Sequence, residues 1–326
     1  MRTSVTWWNL ENLFDTGDSA ERPGWLQRQL RSELKGWTGA VLDQKVGRLV
    51  EVIGQLNGGA GPDVLGVCEV ENRAVLDRLV AALGALGRPY AVAHADTGDG
   101  RGIDVAVLYD ADRFETRPGE TFSHHVLKRA ATRDIFQVNL YAPDGRLLIV
   151  VGNHWPSRLG GVYETEPYRI IAAETLAYWM ERITEIKGRH AAVLVLGDFN
   201  DEPFSRSMTD YALGTASRAR VLNARTPRLL NLSWAAMGRG EGTHYHGNVA
   251  GVLDQVLVSR GLVTGRSGFR LAEPPAEAVR LDVFPGMART GDYPGPRRFG
   301  RPSRRSSFDP TGYSDHFPIS VDLEDD

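Results

Sequence analysis

The chain has 326 residues, of which 42% are hydrophobic and 24% charged, an ordinary composition for a globular protein that can bury a large core. A formal net charge of −3 means that the chain lacks the overall positive charge that indicates nucleic-acid binding, although a local groove can still be basic. Cys68 is the only cysteine, which excludes an intrachain disulfide and favours a reducing compartment.

Short apolar runs that are typical of buried strands recur along the chain, beginning with SVTWWNL near the start. The later runs are DVLGVCEV, YAVAHA, IDVAVLY, DIFQVNLY, RLLIVVGNHW, AAVLVLGDF, VLDQVLVS and HFPISVDL. Apolar stripes at helical spacing predict helices over 38–57, from a cap at Asn72 through Leu86, and from about Thr165 to Lys187. The third stripe includes Ile186.

Some strands follow one another directly and others follow helices, which predicts a mixed α/β protein with helices covering one large sheet or several. The length alone favours two domains. Residues 15–37 and 284–313 are polar or rich in proline and glycine, and we interpret them as long loops. The second loop either is solvated or clamps an anionic substrate through its arginines, which are Arg289, Arg297, Arg298, Arg301, Arg304 and Arg305.

The stretch LVLGDFND at 194–201 ends an apolar run with Asp198 and Asn200. Residues i and i+2 of an extended chain point to the same side, so this pair would project together toward a hard cation and a phosphate. Gly197 allows a turn or a close approach. The alternative is a turn in which Asp198 and Asn200 bond the local backbone.

Polar residues stand at the ends of the other apolar runs as well, and burying them is costly unless they are paired or bind a metal. They are Asn9, Glu69, Glu71, Asp104, His154, Asp254, Asp315 and His316. We interpret them as one shared site. By residue type, Glu69 is a natural ligand for Mg²⁺ or Mn²⁺, with Asn9 and Asp315 near it. His316 as a water-activating base and His154 as a phosphate contact or acid would suit in-line attack on phosphorus.

Taken in order, seven motifs resemble the endonuclease/exonuclease/phosphatase superfamily of DNase I-like enzymes. They are WWNLEN, CEVEN, GIDVAVLY, NHWPSR, LGDFND, LDQVLVS and GYSDHFPIS, and they span residues 7 to 320. The resemblance implies an α/β fold, a four-layer α/β/β/α sandwich of two packed mixed sheets flanked by helices. It replaces the two-domain expectation with one domain over 1–326, and it implies a metal-dependent phosphoesterase with its site at one edge of the sheets.

The resemblance also implies a role for each matching residue. Asn9 and Glu69 match metal-site positions, and Asp315 matches a metal or site carboxylate. Asp198 and Asn200 match the pair that orients the water and contacts the phosphate. His316 matches the general base, Asp254 matches the carboxylate that orients His316, and His154 and Asp104 match the second histidine and its partner. Arg158 and Arg133 are candidate phosphate contacts, and for Arg133 we favour a structural salt bridge.

Where the sequence departs from the superfamily pattern, it disfavours some branches of the superfamily. A histidine at His154 disfavours the abasic-site endonucleases, and GVLDQVLVS disfavours the inositol phosphatases. NHWPSR and GYSDHFPIS look more like a bacterial branch whose substrates the pattern does not fix. We expect His124 and His125 to be solvated, and His244 and His246 to contact the rim or serve structure rather than bind a second metal.

The functional hypothesis is a divalent-metal-dependent phosphodiesterase or nuclease with Mg²⁺ or Mn²⁺. A phosphomonoesterase or a lipid phosphodiesterase with the same site is the alternative, and a non-catalytic binding protein is disfavoured because no site residue is missing. The expected partner is a phosphoester substrate, with nucleic acid one option, and the expected state is a monomer. No signal peptide or membrane span is visible, so we expect a cytoplasmic protein, or a secreted one if a leader was removed.

Overall fold

The computed structural model describes residues 1–291 and 294–325. Its strands, in chain order, are β1 Arg2–Leu13, β2 Val64–Val70, β3 Tyr90–His94, β4 Asp104–Asp110, β5 Thr121–His124, β6 Ile135–Tyr141, β7 Leu147–His154, β8 Ala192–Asp198, β9 Gly214–Thr215, β10 Leu229–Asn231, β11 His244–His246, β12 Val249–Gly251, β13 Asp254–Val258, β14 Phe269–Leu271, β15 Val279–Leu281 and β16 Ile319–Asp325.

The helices are α1 Gly24–Leu30, α2 Gly39–Ile53, α3 Arg73–Leu83, α4 Val162–Lys187, α5 Arg218–Asn223, α6 Trp234–Gly238 and α7 Arg260–Thr264. Side-chain caps begin two of the predicted helices: Thr38 accepts from the Val41 N–H before α2, and Asn72 accepts from the Val75 N–H before α3. Gly188 follows the last residue of α4, as its sequence predicts.

Among the residues that the structure describes, the strands form two mixed seven-stranded sheets and a separate hairpin. The first sheet has the order β14-β16-β1-β2-β4-β3, and β15 also pairs with β16. The second has the order β5-β6-β7-β8-β13-β10-β9, and β11 pairs with β12. Parallel pairs occur in both sheets, between β1 and β2 in the first and between β7 and β8 in the second.

Alternation along the strands explains why their sequences are apolar on both faces. In β1, Trp7 points into the core between the sheets, whereas Trp8 points into the core under α2 and α3. In β8, Leu194 and Leu196 enter the core between the sheets, and Val195 enters the core under α4. Three apolar layers therefore separate four structural layers, which confirms the α/β/β/α sandwich.

All nine predicted strands and all three predicted helices are present, with shifted ends. Ile186 is 74% exposed, so its place in the buried stripe of α4 was wrong. The last strand begins at Ile319, which leaves Asp315 and His316 on the preceding segment. The stretch 15–37 is not all loop, because it contains α1. That one domain spans 1–326 stays a prediction.

Within residues 1–291 and 294–325, each helix is too short or too polar to cross a bilayer.

Candidate active site

The site residues meet because the strand ends of both sheets lie at one edge. In the second sheet, the register places His154 beside Asp198 and Asp198 beside Asp254, as one row across β7, β8 and β13. The first sheet faces this row with Asn9 of β1 and Glu69 of β2. Asn9 Nδ2 donates to Asp198 Oδ2 at 3.1 Å, which joins the two sheets at the site.

Irregular backbone directs several of these side chains. Glu69 has φ +62°, and the pairing of β2 with β4 shifts register there, which is a bulge that turns the carboxylate out of the strand alternation. Asn200 has φ +51°, so the chain leaves β8 in the left-handed region rather than extended. Both are non-glycine residues in a costly conformation, and such strain is concentrated at functional sites.

Gly197 is needed for close approach. A Cβ at this position would lie 2.5 Å from the Cβ of Asn153 on the neighbouring strand β7. The glycine therefore lets β7 and β8 stay paired up to their last residues, where His154 and Asp198 project.

The Asp198–Asn200 pair does not project together as an extended chain would. The Asn200 N–H donates to Asp198 Oδ1 at 3.0 Å, which is the local turn that the sequence left as an alternative. The Asn200 side chain donates to the Trp155 carbonyl, and Arg158 donates to the Asn200 carbonyl at 2.6 Å. Asp198, Asn200 and Arg158 nevertheless line the same cavity.

His316 and Asp254 form a tight buried dyad. His316 Nδ1 lies 2.6 Å from Asp254 Oδ2, and Trp7 Nε1 donates to the other oxygen of Asp254 at 3.0 Å. Burial alone would lower the pKa of His316, but the carboxylates of Asp254 and Asp198 raise it well above its usual value. His316 Nε2 is left facing Asp198, at 3.9 Å from Oδ2.

Asp198 is buried among other carboxylates, and this environment disfavours its ionised form. Burial raises the pKa of Asp198 to about 7, against the attraction of His316 and with help from Asp254 and Glu69. An excess of carboxylates in a buried site is the electrostatic environment that a cation would relieve.

His154 Nε2 faces the carboxylates of Asp198 and Glu69, but among the described residues no carboxylate lies next to its Nδ1. Its Nε2 lies 3.8 Å from both Asp198 Oδ2 and Glu69 Oε1, and its buried Nδ1 has no hydrogen-bond partner among the described residues. Burial, with Arg133 and Arg101 nearby, lowers the pKa of His154 well below 6.5.

The predicted pairing of Asp104 with His154 is therefore wrong. Asp104 Oδ1 accepts from the backbone and the hydroxyl of Thr97, and its Oδ2 lies 3.4 Å from His94 Nε2. The strand end of β4 was predicted correctly, but the local loop turns this carboxylate toward Thr97 and His94.

A cavity of about 720 Å³ opens at this edge. Its polar lining includes Asn9, Glu69, Arg101, His154, Arg158, Asp198, Asn200, Glu202, His244, His246, Asp315 and His316. Every predicted site residue except Glu71, Asp104 and Asp254 is in this lining. Asp254 lies directly behind His316, whereas Glu71 pairs with buried Arg22 away from the cavity lining.

Other histidines and Arg133 take structural positions. Arg133 is buried, donates to the carbonyls of His154 and Trp155, and pairs with Asp99 at 3.2 Å, so the favoured salt-bridge interpretation is confirmed. His124 is buried and stacks on Trp179 with ring centroids 4.0 Å apart, so the expectation that it is solvated was wrong.

His244 belongs to the wall of the site. Its ring lies 4.7 Å from that of His316 between centroids, and burial followed by repulsion from His316 lowers the pKa of His244 to about 4. A neutral imidazole beside a charged one fits the rim contact that the sequence suggested for His244 and His246, both of which line the cavity.

The sequence interpretation missed two charged groups. Arg101 lines the cavity and lies 3.4 Å from Glu69 Oε1. Glu11 is almost fully buried, receives Arg298 and the backbone N–H groups of Phe299 and Gly300, and lies 3.8 Å from buried Lys45. The signal was present for Glu11, because a charge inside a buried strand requires a partner.

The arginine-rich loop is chiefly tied to protein carboxylates. Arg298 also lies 3.5 Å from Asp315, so this arginine connects Glu11 to the site. Of the other arginines, Arg297 pairs with Asp309, and Arg301 and Arg304 pair with Glu33. Residues 292 and 293 of this loop lie outside the described residues.

The donors fit a divalent cation. Glu69, Asn9 and Asp315 offer carboxylate and amide oxygens to one cavity, which is the donor chemistry of Mg²⁺ or Mn²⁺. Asp198, Asp254 and His316 also bring ligand atoms within 4.8 Å of one another. We favour the first set, because the 2.6 Å hydrogen bond between Asp254 and His316 already engages two members of the second.

Several solved structures share the fold at TM-scores of 0.56–0.57. The human Nocturnin catalytic domain with bound sulfate has 16% identity, with 100% of this chain and 94% of that one covered. A mannosyl-6-phosphatase from Bacteroides thetaiotaomicron has 15% identity, with 99% of each covered. Truncated TDP2 from Caenorhabditis elegans has 16% identity, with 99% and 97% covered.

No curated protein matches the sequence. The model of the endonuclease/exonuclease/phosphatase family matches residues 4–325. Members of this family hydrolyse phosphoesters and usually use divalent metal ions. The chain therefore belongs to the endonuclease/exonuclease/phosphatase family.

Proposed function

We propose that this chain is a divalent-metal-dependent phosphodiesterase, with nucleic acid as its substrate, in which His316 takes a proton from the attacking water. The observation that carries the proposal is the dyad geometry. Asp254 holds His316 Nδ1 at 2.6 Å, which fixes the tautomer and leaves Nε2 free toward the cavity.

Asp198 would place the water for His316. One Asp198 oxygen is fixed by the Asn200 N–H and the other by Asn9 Nδ2, so the carboxylate cannot rotate away from His316 Nε2. A water between Asp198 and His316 would have an acceptor on one side and a base on the other.

His154, Asn200 and Arg158 would contact the phosphoryl group. Nε2 of a neutral His154 can donate a hydrogen bond to a phosphoryl oxygen, and its low pKa keeps it neutral at physiological pH. Arg158 is half-buried at the cavity wall and is held by the Asn200 carbonyl, which orients its guanidinium for an anion.

Glu69, Asn9 and Asp315 would hold the metal, with Mg²⁺ or Mn²⁺ as the ion. When bound, such an ion neutralises negative charge that develops on the phosphoryl oxygens. Arg298 beside Asp315 and Arg101 beside Glu69 limit how much carboxylate charge the ion must balance.

The test compares hydrolysis of bis(p-nitrophenyl) phosphate, plasmid DNA, RNA and p-nitrophenyl phosphate, each with Mg²⁺, Mn²⁺ or EDTA. We expect metal-dependent cleavage of the diester and nicking of the plasmid, and we expect His316→Ala to lose at least about 10²-fold in kcat. Diester cleavage that is unchanged in His316→Ala, or unchanged by EDTA, would contradict the proposal. Cleavage of the monoester alone would indicate a phosphatase, the activity named for the Bacteroides neighbour.

A lipid phosphodiesterase is the second candidate, because the cavity has an apolar rim formed by Leu159, Val162 and Val249. Leu159 is 90% exposed and Val249 is 71% exposed, so the rim offers apolar surface to a bound substrate. Such a rim would suit an apolar alcohol on the phosphate.

Leu159→Ser with Val249→Ser separates the two candidates. A lipid diester requires the rim, so its KM should rise about tenfold or more in the double variant, whereas cleavage of plasmid DNA should change little. The exposed pair Leu127→Ser and Ile186→Ser is the matched control, since both residues lie outside the cavity lining. Equal losses on DNA and lipid would remove the rim as a determinant of substrate class.

A further inference from the structure

A second group of potential ligands lies where β3 ends and β4 begins. His94 closes β3, Asp104 opens β4, and Asp96 lies on the loop between them. None of the three belongs to the residues that line the cavity of the candidate active site. One ligand atom from each lies within 4.8 Å of the other two.

His94 has a buried nitrogen that makes no hydrogen bond and has only the distant carboxylate of Asp104 beside it. Its side chain is only 5% exposed, and Nε2 makes no hydrogen bond to the described residues. This nitrogen faces Oδ2 of Asp104 at 3.4 Å, while the other oxygen of Asp104 takes both hydrogen bonds from Thr97. A buried polar atom without a hydrogen bond is costly, so the environment of Nε2 requires an explanation.

The spacing is longer than that of the two hydrogen-bonded histidine–carboxylate pairs among the described residues. His316 lies 2.6 Å from Asp254, and exposed His125 lies 3.0 Å from Asp134. Two ligands that each lie about 2.0–2.1 Å from a tetrahedral ion are about 3.4 Å apart. The 3.4 Å separation of His94 Nε2 from Asp104 Oδ2 therefore leaves these two atoms placed as two ligands of one tetrahedral ion would be.

Asp96 can supply a third ligand. It is exposed, and within 1–291 and 294–325 its carboxylate makes no hydrogen bond or ion pair. One imidazole nitrogen with two carboxylates suits a zinc-type ion better than Mg²⁺, which prefers oxygen donors alone. We propose that His94, Asp96 and Asp104 bind a transition-metal dication of the zinc type, with water completing its coordination.

The ion would fix the loop between β3 and β4. Thr97 is already bonded to Asp104, Asp99 accepts the Arg101 N–H at 2.9 Å, and Arg101 reaches Glu69 at the cavity. Tying Asp96 to His94 and Asp104 closes the start of this loop, and the chain of contacts then leads to Arg101. The site is thus a structural metal site next to the candidate active site, and it does not depend on which phosphoester is hydrolysed.

The test uses full-length protein stripped of metal, supplied first with excess Mg²⁺ to fill oxygen-rich sites and then with Zn²⁺. After desalting, bound zinc is counted by mass spectrometry, and its affinity is measured against a chelating dye. We expect wild type to retain one zinc ion per chain more than Asp96→Asn and His94→Gln, with affinity at least about tenfold lower in both variants. His125→Gln, which removes an ordinary exposed pair, should bind zinc as wild type does.

Asp96 is exposed, so Asp96→Asn should fold and decides the question if His94→Gln does not. Equal zinc content and affinity in wild type and Asp96→Asn would overturn the proposal. Zinc that is lost in Glu69→Gln but kept in Asp96→Asn would also overturn it, because the ion would then lie in the candidate active site.

Discussion

The two histidines of the candidate active site differ in charge, although they resemble each other in position. His316 and His154 are both almost fully buried, and their Nε2 atoms lie 3.9 and 3.8 Å from the same oxygen of Asp198. His316 has Asp254 on its other nitrogen, which raises its pKa far above the usual value. His154 has no carboxylate there and has Arg133 nearby, and its pKa is far below the usual value.

The comparison indicates that the partner on Nδ1, rather than burial or the shared carboxylate, decides which histidine carries the proton. A raised pKa makes His316 strongly basic in its neutral form, which is the only form that can take a proton from water, and the proton must be released again after each turnover. A histidine that stays neutral is suited to hydrogen bonding without gaining charge. The two histidines can thus be assigned different roles from the group that lies next to Nδ1 in each.

Removing the carboxylate behind His316 should have the largest effect. In Asp254→Asn we expect kcat to fall by about 10³-fold, because the tautomer of His316 is no longer fixed. The rate should rise with pH through the pKa of His316, since only the neutral imidazole accepts a proton. Loss of the Asp254 charge lowers that pKa, so the rising limb should move to lower pH. Both are read from kcat against pH on the diester substrate.

Asp322→Asn is the matched control for this prediction. Asp322 is also a buried aspartate, but it pairs with Arg2 and Arg280 on the first sheet. The Asp322→Asn variant should therefore keep the kcat of wild type and the same rising limb of kcat against pH. A limb that stays in place in Asp254→Asn would mean that Asp254 does not set the pKa of His316.

Removing His154 should cost less. We expect His154→Ala to lower kcat/KM by about 10²-fold. His154→Gln should lose only about tenfold, because its amide nitrogen can take the place of Nε2, the atom that faces Asp198 and Glu69. The pH limb should not move, since His154 remains neutral over that range. Better rescue by Asn than by Gln would assign the function to Nδ1 instead and would undo the comparison.

These expectations rest on features that the sequence reveals unequally. Apolar periodicity predicted the nine long strands, because each is buried on both faces, and polar residues at their ends predicted which ones meet at the site. The pairing of Asp104 was not predictable in this way. A strand end fixes the edge of the sheet, but the loop from 95 to 103 decides that Thr97 and His94 receive the carboxylate.

Contacts between distant segments could not be predicted from the sequence for a similar reason. Glu11 and Arg298 are 287 positions apart, and nothing in either local sequence specifies the partner. The left-handed conformation of Asn200 was also missed, because the simple alternation of a strand was extended past its last residue. Periodicity thus predicts faces and edges, whereas tertiary packing selects individual partners.

The smallest expected effect comes from replacing Arg133, the positively charged neighbour of His154. Arg133→Met should lower the free energy of unfolding by about 3 kcal/mol, because Asp99 would remain buried without its ion partner. Arg117→Met is the control. Arg117 and Glu115 are both more than half exposed, and such a pair contributes less than about 1 kcal/mol. Urea denaturation measures both differences.

The same variant tests how His154 is kept neutral. Loss of the Arg133 charge should move the pKa of His154 back toward 6.5, which an NMR titration of the imidazole detects. In wild type the unfolded chain binds a proton at this histidine below about pH 6.5 and the folded chain does not, so acidification should lower the free energy of unfolding. That loss should be smaller in Arg133→Met. An unchanged pKa would show that burial alone keeps His154 neutral, and the contrast with His316 would then rest on Asp254 alone.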